Sequence, residues 1–382
     1  MVYGSRMVTR HVAFMLTSLA PAGGIERDAV KCIKELANSN FHIHLIVAFP
    51  HKEMIDTLST LPISWYPVDT FLRPPAIGQM LFCLKTNRIL KKIRHQFGNM
   101  ECVSFENHPP ASILIGSTSQ ALWNKARIQG GMGRSLRPLW NAWKSYSEKK
   151  CLLNAKKIAV YSEQVRQIFI ALGTSPEKLS RLIIPADTNF FTPKNTPPLH
   201  ERRELLIIGA NPKLKGIDIA LTAWKQLADE WPDMSLRVVT KGWKVKALIK
   251  KIGAPRVITS PFITDPRAYY NSARLVITPS IFESWGNVVV EALSSGIPVV
   301  ASSQVPSSEL MQEQEHGVSF TRDGTKDHLK LVNAMRQALR DTSEQTQCMK
   351  ARHQHVLEFQ SSNSTMTSWL VSQLTSTGQP PS

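Results

Sequence analysis

The strongest constraint on this chain is an alternation of short apolar runs with helix-length segments, punctuated by a glycine-rich turn. Val12–Leu19 is apolar and is followed by Pro21-Ala22-Gly23-Gly24, a helical pattern over Glu26–Ala37, and a second apolar, β-branched run at Ile43–Phe49. Strand, turn, helix, strand is how a parallel α/β sheet begins, because parallel neighbours need a crossover connection between them. Gln79–Phe97 reads as an amphipathic helix. Glu101–Glu106 reads as a short strand running into Asn107-His108-Pro109-Pro110, Lys156–Tyr161 as another strand, and Ser162–Leu172 as a helix.

The polar stretch with Pro193, Pro197 and Pro198 reads as a linker, after which the alternation restarts. Leu205–Gly209, Leu236–Thr240, Val257–Thr259, Leu275–Thr278 and Val299–Ala301 are strand-like, with helical stretches such as Asp218–Leu227 and Ala247–Ile252 between them. This predicts a second parallel, doubly wound sheet. The expected division is a first domain over 1–195 and a second over 199–355, then a helix over 356–375 crossing back to the first domain and a disordered polar tail over 376–382.

Composition narrows the class. Of 382 residues, 42% are apolar and 20% charged, the profile of a core-forming protein and not of a disordered one. Cys32, Cys83, Cys102, Cys151 and Cys348 show no Cys-x-x-Cys spacing and no adjacent histidine pair, which argues for reduced thiols and against zinc. No apolar run reaches the roughly 18 residues needed to span a bilayer. Arg6 and Arg10 before the first apolar run imitate a signal peptide faintly, but that run is short, contains Thr17 and Ser18, and enters the glycine turn directly, so it reads as a buried strand.

The most specific string is Phe282-Glu283-Ser284-Trp285-Gly286-Asn287-Val288-Val289-Val290-Glu291-Ala292-Leu293, after the strand at Leu275–Thr278. Gly286 and Asn287 can open a helix whose first amides have no partner within the helix and suit a phosphate. Glu283 falls in the loop at the carboxyl end of a strand, where open α/β sheets bind ligands. Glu291 lies further along the helix, and a carboxylate accepts vicinal hydroxyls well. A second string, Gly209-Ala210-Asn211-Pro212-Lys213-Leu214-Lys215-Gly216, puts lysines after a strand end, where they can neutralise a diphosphate. Gly23 and Gly24 allow close backbone approach to a ligand. A complete Gly-x-Gly-x-x-Gly is absent, which argues against an ordinary dinucleotide enzyme.

Glu283-x7-Glu291, followed by Gly296-Ile297-Pro298-Val299-Val300, resembles the E-x7-E signature of family-four retaining glycosyltransferases of GT-B fold. The resemblance runs from Gly23-Gly24-Ile25-Glu26-Arg27 to about Phe320, and the early part is most similar to lipopolysaccharide core sugar transferases. It implies two Rossmann-like doubly wound domains facing across a cleft. It also implies retaining transfer of a sugar from a nucleoside-diphosphate sugar, with a UDP-sugar as the expected donor and no cofactor. In that resemblance Glu283 contacts the donor sugar, Glu291 the nucleotide ribose, and Lys215 the diphosphate. The donor-facing set is Gly23, Gly24, Gly209, Lys213, Lys215, Gly286, Asn287, Val288 and Glu291. Leu214 stands where the family has a basic residue, usually arginine, so Lys213 is the candidate for the missing charge. His108 is the candidate on the first domain to face the transferring sugar. No Asp-x-Asp pair stands in a strand-end loop, so no metal ligand is expected.

Charge is uneven. Residues 1–200 carry 25 Lys+Arg against 12 Asp+Glu, a net +13, and residues 201–382 carry 21 against 17, a net +4. Such a field attracts polyanions. Lys85, Arg88, Lys91, Lys92, Trp140 and Trp143 are candidates for an acceptor or membrane surface, with a solvated charged face as the alternative. The expected partners are a sugar nucleotide, a glycan or glycolipid acceptor and an anionic membrane, at the cytoplasmic face of the cell membrane; no nucleic-acid motif is present. Two other function classes fit the coarse pattern: a GT-B epimerase or phosphorylase, and a non-catalytic basic module that holds membrane or nucleic acid.

Overall fold

The computed structural model describes residues 10–19, 24–70, 75–116, 119–129, 138–194, 197–240, 244–263, 265–311, 315–324, 326–340, 343–363 and 365–376. The chain divides into two compact units: Met1–Ala121, Ser135–Leu182 and Ser364–Ser382 form unit 1, and Leu122–Arg134 with Ile183–Asn363 form unit 2.

Unit 1 runs through β1 (Arg10–Leu19), α1 (Gly24–Ala37), β2 (Phe41–Pro50), α2 (Lys52–Leu58), β3 (Ile63–Pro67), α3 (Pro75–Phe97), β4 (Cys102–Ser104) and β5 (Ile113–Gly116). The chain then passes through α4 (Gln120–Gln129), which belongs to unit 2 from Leu122 onward, and continues in unit 1 with α5 (Pro138–Asn154), β6 (Lys157–Val160), α6 (Glu163–Ala171) and β7 (Leu179–Arg181). The seven strands pair in parallel in the order β3-β2-β1-β4-β5-β6-β7. Val12, Ala13, Phe14, Met15 and Leu16 are all buried. That continuous apolar run is what a parallel strand covered on both faces requires. Ser162 caps α6 by accepting the Val165 amide at 3.2 Å.

Unit 2 repeats the plan with β8 (Glu204–Ile208), α7 (Ile217–Leu227), β9 (Ser235–Val239), α8 (Lys244–Ile252), β10 (Val257–Ser260), α9 (Arg267–Ser272), β11 (Ala273–Thr278), α10 (Asn287–Ser294), β12 (Val299–Ser302), β13 (Gly317–Phe320), α11 (Asp327–Arg340) and α12 (Ser343–Ser362). Its six strands are parallel in the order β10-β9-β8-β11-β12-β13. Leu236, Val238, Leu275 and Ile277 meet Leu221 and Trp224 of α7 and Leu331 and Met335 of α11 in one core. Trp224 is fully buried, and its indole N–H donates to Pro255 O at 2.7 Å, so the apolar bulk is gained with no polar group lost.

Both sheets reverse direction at their first strand. The chain builds β2 and β3 on one side of β1 and then crosses to β4 on the other; β9 and β10 lie on one side of β8, and β11 on the other. Each reversal leaves a crevice at the carboxyl ends of the two central strands, the usual ligand position in such sheets.

The C-terminal helix differs from the single element expected over 356–375. Ser361 and Ser362 hydroxyls donate to Glu358 O and Phe359 O, and the Asn363 amide donates to Phe359 O at 2.8 Å. These side chains occupy carbonyls near the end of the helix and accompany the end of α12. Thr365 Oγ1 then accepts the Ser368 amide and starts α13 (Met366–Ser376). That helix packs in unit 1, with Tyr161 O–H donating to Met366 Sδ at 2.9 Å and Cys32 beside Thr367 at 3.4 Å. The tail beyond Ser376 lies outside the described residues.

Several histidines are buried. His11 and His44 share a hydrogen bond of 2.9 Å, and His44 reaches the Tyr66 hydroxyl at 3.1 Å. Burial, with His42 and His11 beside it, lowers the His44 pKa to about 4. Burial, with His355 and Arg352 nearby, does the same to His316, to about 4. Burial also lowers His108 to about 4, with Lys144 in the same direction and Glu106 opposing. In the unfolded chain these rings protonate near pH 6.5. Their contribution is therefore complete above that pH and is lost as pH falls from about 6.5 toward about 4, by up to about 1.4 kcal/mol per pH unit for each ring. The urea midpoint should drop between pH 7 and pH 5; an unchanged midpoint would show that the three rings titrate freely.

Candidate active site

The loop after β8 is shaped by its own sequence. Asn211 Oδ1 accepts the Leu214 amide at 3.2 Å and Asn211 O accepts the Lys215 amide at 2.9 Å, a turn that asparagine favours. Gly216 follows with φ 67°, and a Cβ there would lie 2.2 Å from Pro279 O. Gly209 is needed for a different reason. A Cβ on it would lie 2.5 Å from Lys215 Cγ, so the lysine stem is laid directly across the bare glycine.

Lys215 Nζ consequently donates to Glu283 Oε1, an ion pair bridging the loops after β8 and β11 across the crevice. Ser280 Oγ donates to the same oxygen at 2.8 Å. Lys215 is 26% exposed and Glu283 17%, so both are shielded yet reachable. The Ile281 amide donates to Leu214 O at 2.9 Å and ties the two loops together.

The helix α10 begins at Gly286, whose φ is 104° and which offers no side-chain cap. A Cβ on Gly286 would lie 2.4 Å from Val305 Cγ1 and 2.6 Å from Ser307 Oγ. The first N–H groups of such a helix end carry partial positive charge and have no partner within the helix. Glu283, Asn287, Val288 and Glu291 are partly exposed, while Val289 and Val290 are buried. Glu291 lies one turn past Asn287, and the buried Tyr270 hydroxyl donates to its Oε2 at 2.6 Å. Phe191 stands edge-on to Tyr270 with ring centroids 5.5 Å apart.

Lys213 does not join this group. Its Nζ donates to Asp218 Oδ2 at 2.7 Å, at the exposed side of the loop. Two residues absent from the sequence reading support the site. Tyr270 orients Glu291, and the buried Arg322 donates to Pro279 O and lies 3.4 Å from Asp327 Oδ2. Neither stands in a recognisable motif.

In unit 1, Gly23 lies outside the described residues and Gly24 opens α1. His108 is not at the surface: its ring is wholly buried against Phe82 and Ser147, because α5 covers it. The partly exposed acid of that loop is Glu106, whose carboxylate accepts the Thr17 amide at 3.0 Å and the Thr17 hydroxyl. Glu148, buried, accepts Asn107 Nδ2 at 2.8 Å and the Gln120 amide at 3.0 Å, and burial raises its pKa. Of the basic candidates, Arg88, Lys91 and Lys92 are exposed on α3, whereas Lys85 donates to Asp69 O. Trp140 and Trp143 are half-buried on α5, with Lys144 Nζ 5.0 Å from the Trp140 ring centre.

Residues 202–341 match the family model of glycosyl transferases group 1. An uncharacterized glycosyltransferase of Haemophilus influenzae is 23% identical over 335 residues, which cover 84% of this chain and 89% of that protein. Two solved structures superpose on most of the chain. One is WaaG, a glycosyltransferase involved in lipopolysaccharide biosynthesis, with TM-score 0.72 and 17% identity over 95% of this chain and 99% of WaaG. The other is Anabaena HepE in complex with UDP and glucose, with TM-score 0.65 and 16% identity over 96% and 100%. The chain resembles group 1 glycosyltransferases and has the GT-B fold. Glycosyl transfer is the activity these likenesses support.

In this GT-B chain Lys215, Glu283, Asn287, Val288 and Glu291 all fall inside the matched segment, and His108 and the basic helix α3 fall outside it. The dependence of Lys215 on Gly209 is testable. Gly209→Ala should keep the fold, at an overpacking cost of about 1–3 kcal/mol, while displacing the lysine. Calorimetry should then show UDP affinity reduced by about tenfold or more, the loss of a charge-assisted contact. Unchanged affinity would separate Lys215 from nucleotide binding.

Proposed function

We propose that this chain is a retaining, metal-independent glycosyltransferase that takes a UDP-sugar as donor. Its acceptor would be a glycan or glycolipid of lipopolysaccharide core or another cell-surface polysaccharide. The observation that carries the reading is the Lys215–Glu283 pair beside the uncapped start of α10, with Glu291 one turn along.

In this reading the diphosphate lies on the first amides of α10 and on Lys215. The ribose diol is accepted by Glu291, which Tyr270 holds in place. Glu283 neutralises Lys215 before the donor arrives; the diphosphate then takes over the lysine and leaves Glu283 for the hydroxyls of the donor sugar. As the bond from the anomeric carbon to the diphosphate oxygen breaks, its electron pair passes to the leaving group, where Lys215 and the amides stabilise it. The acceptor hydroxyl attacks the same face and passes its proton to the departing diphosphate oxygen. Lysine and amides supply the positive charge for which other transferases use a divalent ion.

A surface of unit 1 supports the lipid side of the proposal. On α3 the exposed Ile77, Met80 and Leu84 recur at helical spacing and are followed by exposed Arg88, Lys91 and Lys92. On α5, which packs against α3, Tyr146 and Leu153 are exposed beside Lys149 and Lys150. Apolar side chains among cations suit an anionic bilayer surface. Among the described residues no helix is long and apolar enough to cross a membrane.

Calorimetry with UDP in the presence of a chelator tests donor and metal independence together. Wild-type protein should bind, and Glu291→Ala should lose the affinity while its melting temperature holds. A strict magnesium or manganese requirement, or an unaffected Glu291→Ala, would remove the corresponding role. The membrane reading has its own measurement. Co-sedimentation with anionic vesicles should fall steeply with salt, since each Lys or Arg near the surface contributes about 1 kcal/mol and acts only within a Debye length. Reversing Arg88, Lys91 and Lys92 to glutamate should weaken vesicle binding and leave UDP binding intact; equal sedimentation of the reversed protein would defeat it.

A further inference from the structure

The two sheets can be compared through their shared strand order. In unit 2 the crevice lies between β8 and β11, and the loop after β11 brings Glu283 to the end of β8. In unit 1 the corresponding strands are β1 and β4, and the loop after β4 brings Glu106 to Thr17, near the end of β1. Glu106 therefore occupies in one sheet the topological place that Glu283 occupies in the other.

The surroundings of Glu106 show which ligand chemistry fits. Thr17 donates its amide and its hydroxyl to the carboxylate and fixes one side of it. The side chain is 25% exposed, so its other side is open. His108, wholly buried, aims Nε2 at Glu106 Oε2 from 3.8 Å, and this nitrogen has no hydrogen-bond partner. Ser147 Oγ donates to Asn107 O at 2.8 Å, which leaves it to accept from His108 Nδ1 at 3.5 Å and leaves a lone pair on Nε2. Two acceptors thus face one another, so the position favours a ligand that brings its own donors. A polyol brings neutral O–H donors, and carboxylates accept these in pairs.

We infer that Glu106 binds hydroxyl groups of the sugar that receives the transfer, and so selects the acceptor. The inference rests on the glycosyl transfer proposed above, in which Glu283 and Glu291 already take the donor's diols and leave Glu106 for the second substrate. Thr17 acts through Glu106 as a positioning residue.

Methyl glycosides of glucose, galactose and mannose serve as probes, in saturation-transfer NMR on the full chain, with UDP titrated separately by calorimetry. Wild-type protein should show transfer to at least one glycoside. Glu106→Gln, of equal size but without the charge, should weaken that binding by about tenfold or more. Thr17→Val leaves the carboxylate in place and should weaken it less. Both variants should bind UDP within about twofold of wild type, since both leave Lys215, Glu291 and the start of α10 unaltered. Glycoside binding by Glu106→Gln equal to wild type would overturn the assignment, as would a wild-type protein that binds UDP and none of the three glycosides. Loss of glycoside binding in Glu106→Gln together with no UDP binding by any form would sink the donor reading and leave the polyol site standing.

Discussion

Parallel pairing of apolar strands is the constraint from which the rest follows. A strand such as Val12–Leu16, buried throughout, must be covered on both faces, and its parallel neighbours must be reached by crossovers. Every strand of a sheet then ends at the same edge, and so do the loops that follow. Because each sheet grows first to one side of its initial strand and then to the other, two loops diverge above the centre of the edge. Lys215 and Glu283 meet in that gap in unit 2, and Thr17 and Glu106 in unit 1. The chemistry is thus placed by topology before any individual contact is considered.

Glycine decides how closely that chemistry is assembled. Gly209 permits the Lys215 stem to cross the backbone, Gly216 permits Pro279 O to approach, and Gly286 lets α10 start against Val305 and Ser307. In each case the neighbouring atom lies where a Cβ would be, so the backbone is pressed against what surrounds it and has little freedom to relax. The Lys215–Glu283 pair is thereby confined to one arrangement across the crevice.

The parts of this arrangement differ in how far sequence alone reveals them. Glu283, Gly286, Asn287 and Glu291 belong to one continuous string after one strand, so local spacing suffices to read them together. Lys215 was legible for the same reason. Tyr270, Arg322 and Thr17 were not, since each meets its partner through the tertiary fold, at separations of 21, 43 and 89 residues. His108 shows the reverse error. Its neighbours in sequence suggest an exposed loop, but α5, some 40 residues on, buries the ring. The short strands β3, β5, β7 and β13 escaped notice because three to five residues carry too little periodicity to distinguish a strand from a loop. The break between α12 and α13 depended on serine and asparagine side chains competing for carbonyls, which apolar patterning does not register.

Leu214 is the clearest departure from the resemblance, and the loop geometry shows how it is accommodated. Its backbone is engaged at both ends, the amide to Asn211 Oδ1 and the carbonyl to the Ile281 amide, so the residue holds the two loops together whatever its side chain. The charge is available one residue earlier. Lys213 is about half exposed and paired with Asp218, and such surface pairs contribute only about 0–1 kcal/mol. Lys213 can therefore exchange Asp218 for a more strongly charged partner at little cost. Lys215 differs, because its pair with Glu283 is shielded and its stem is confined by Gly209. One lysine is confined and the other loosely held.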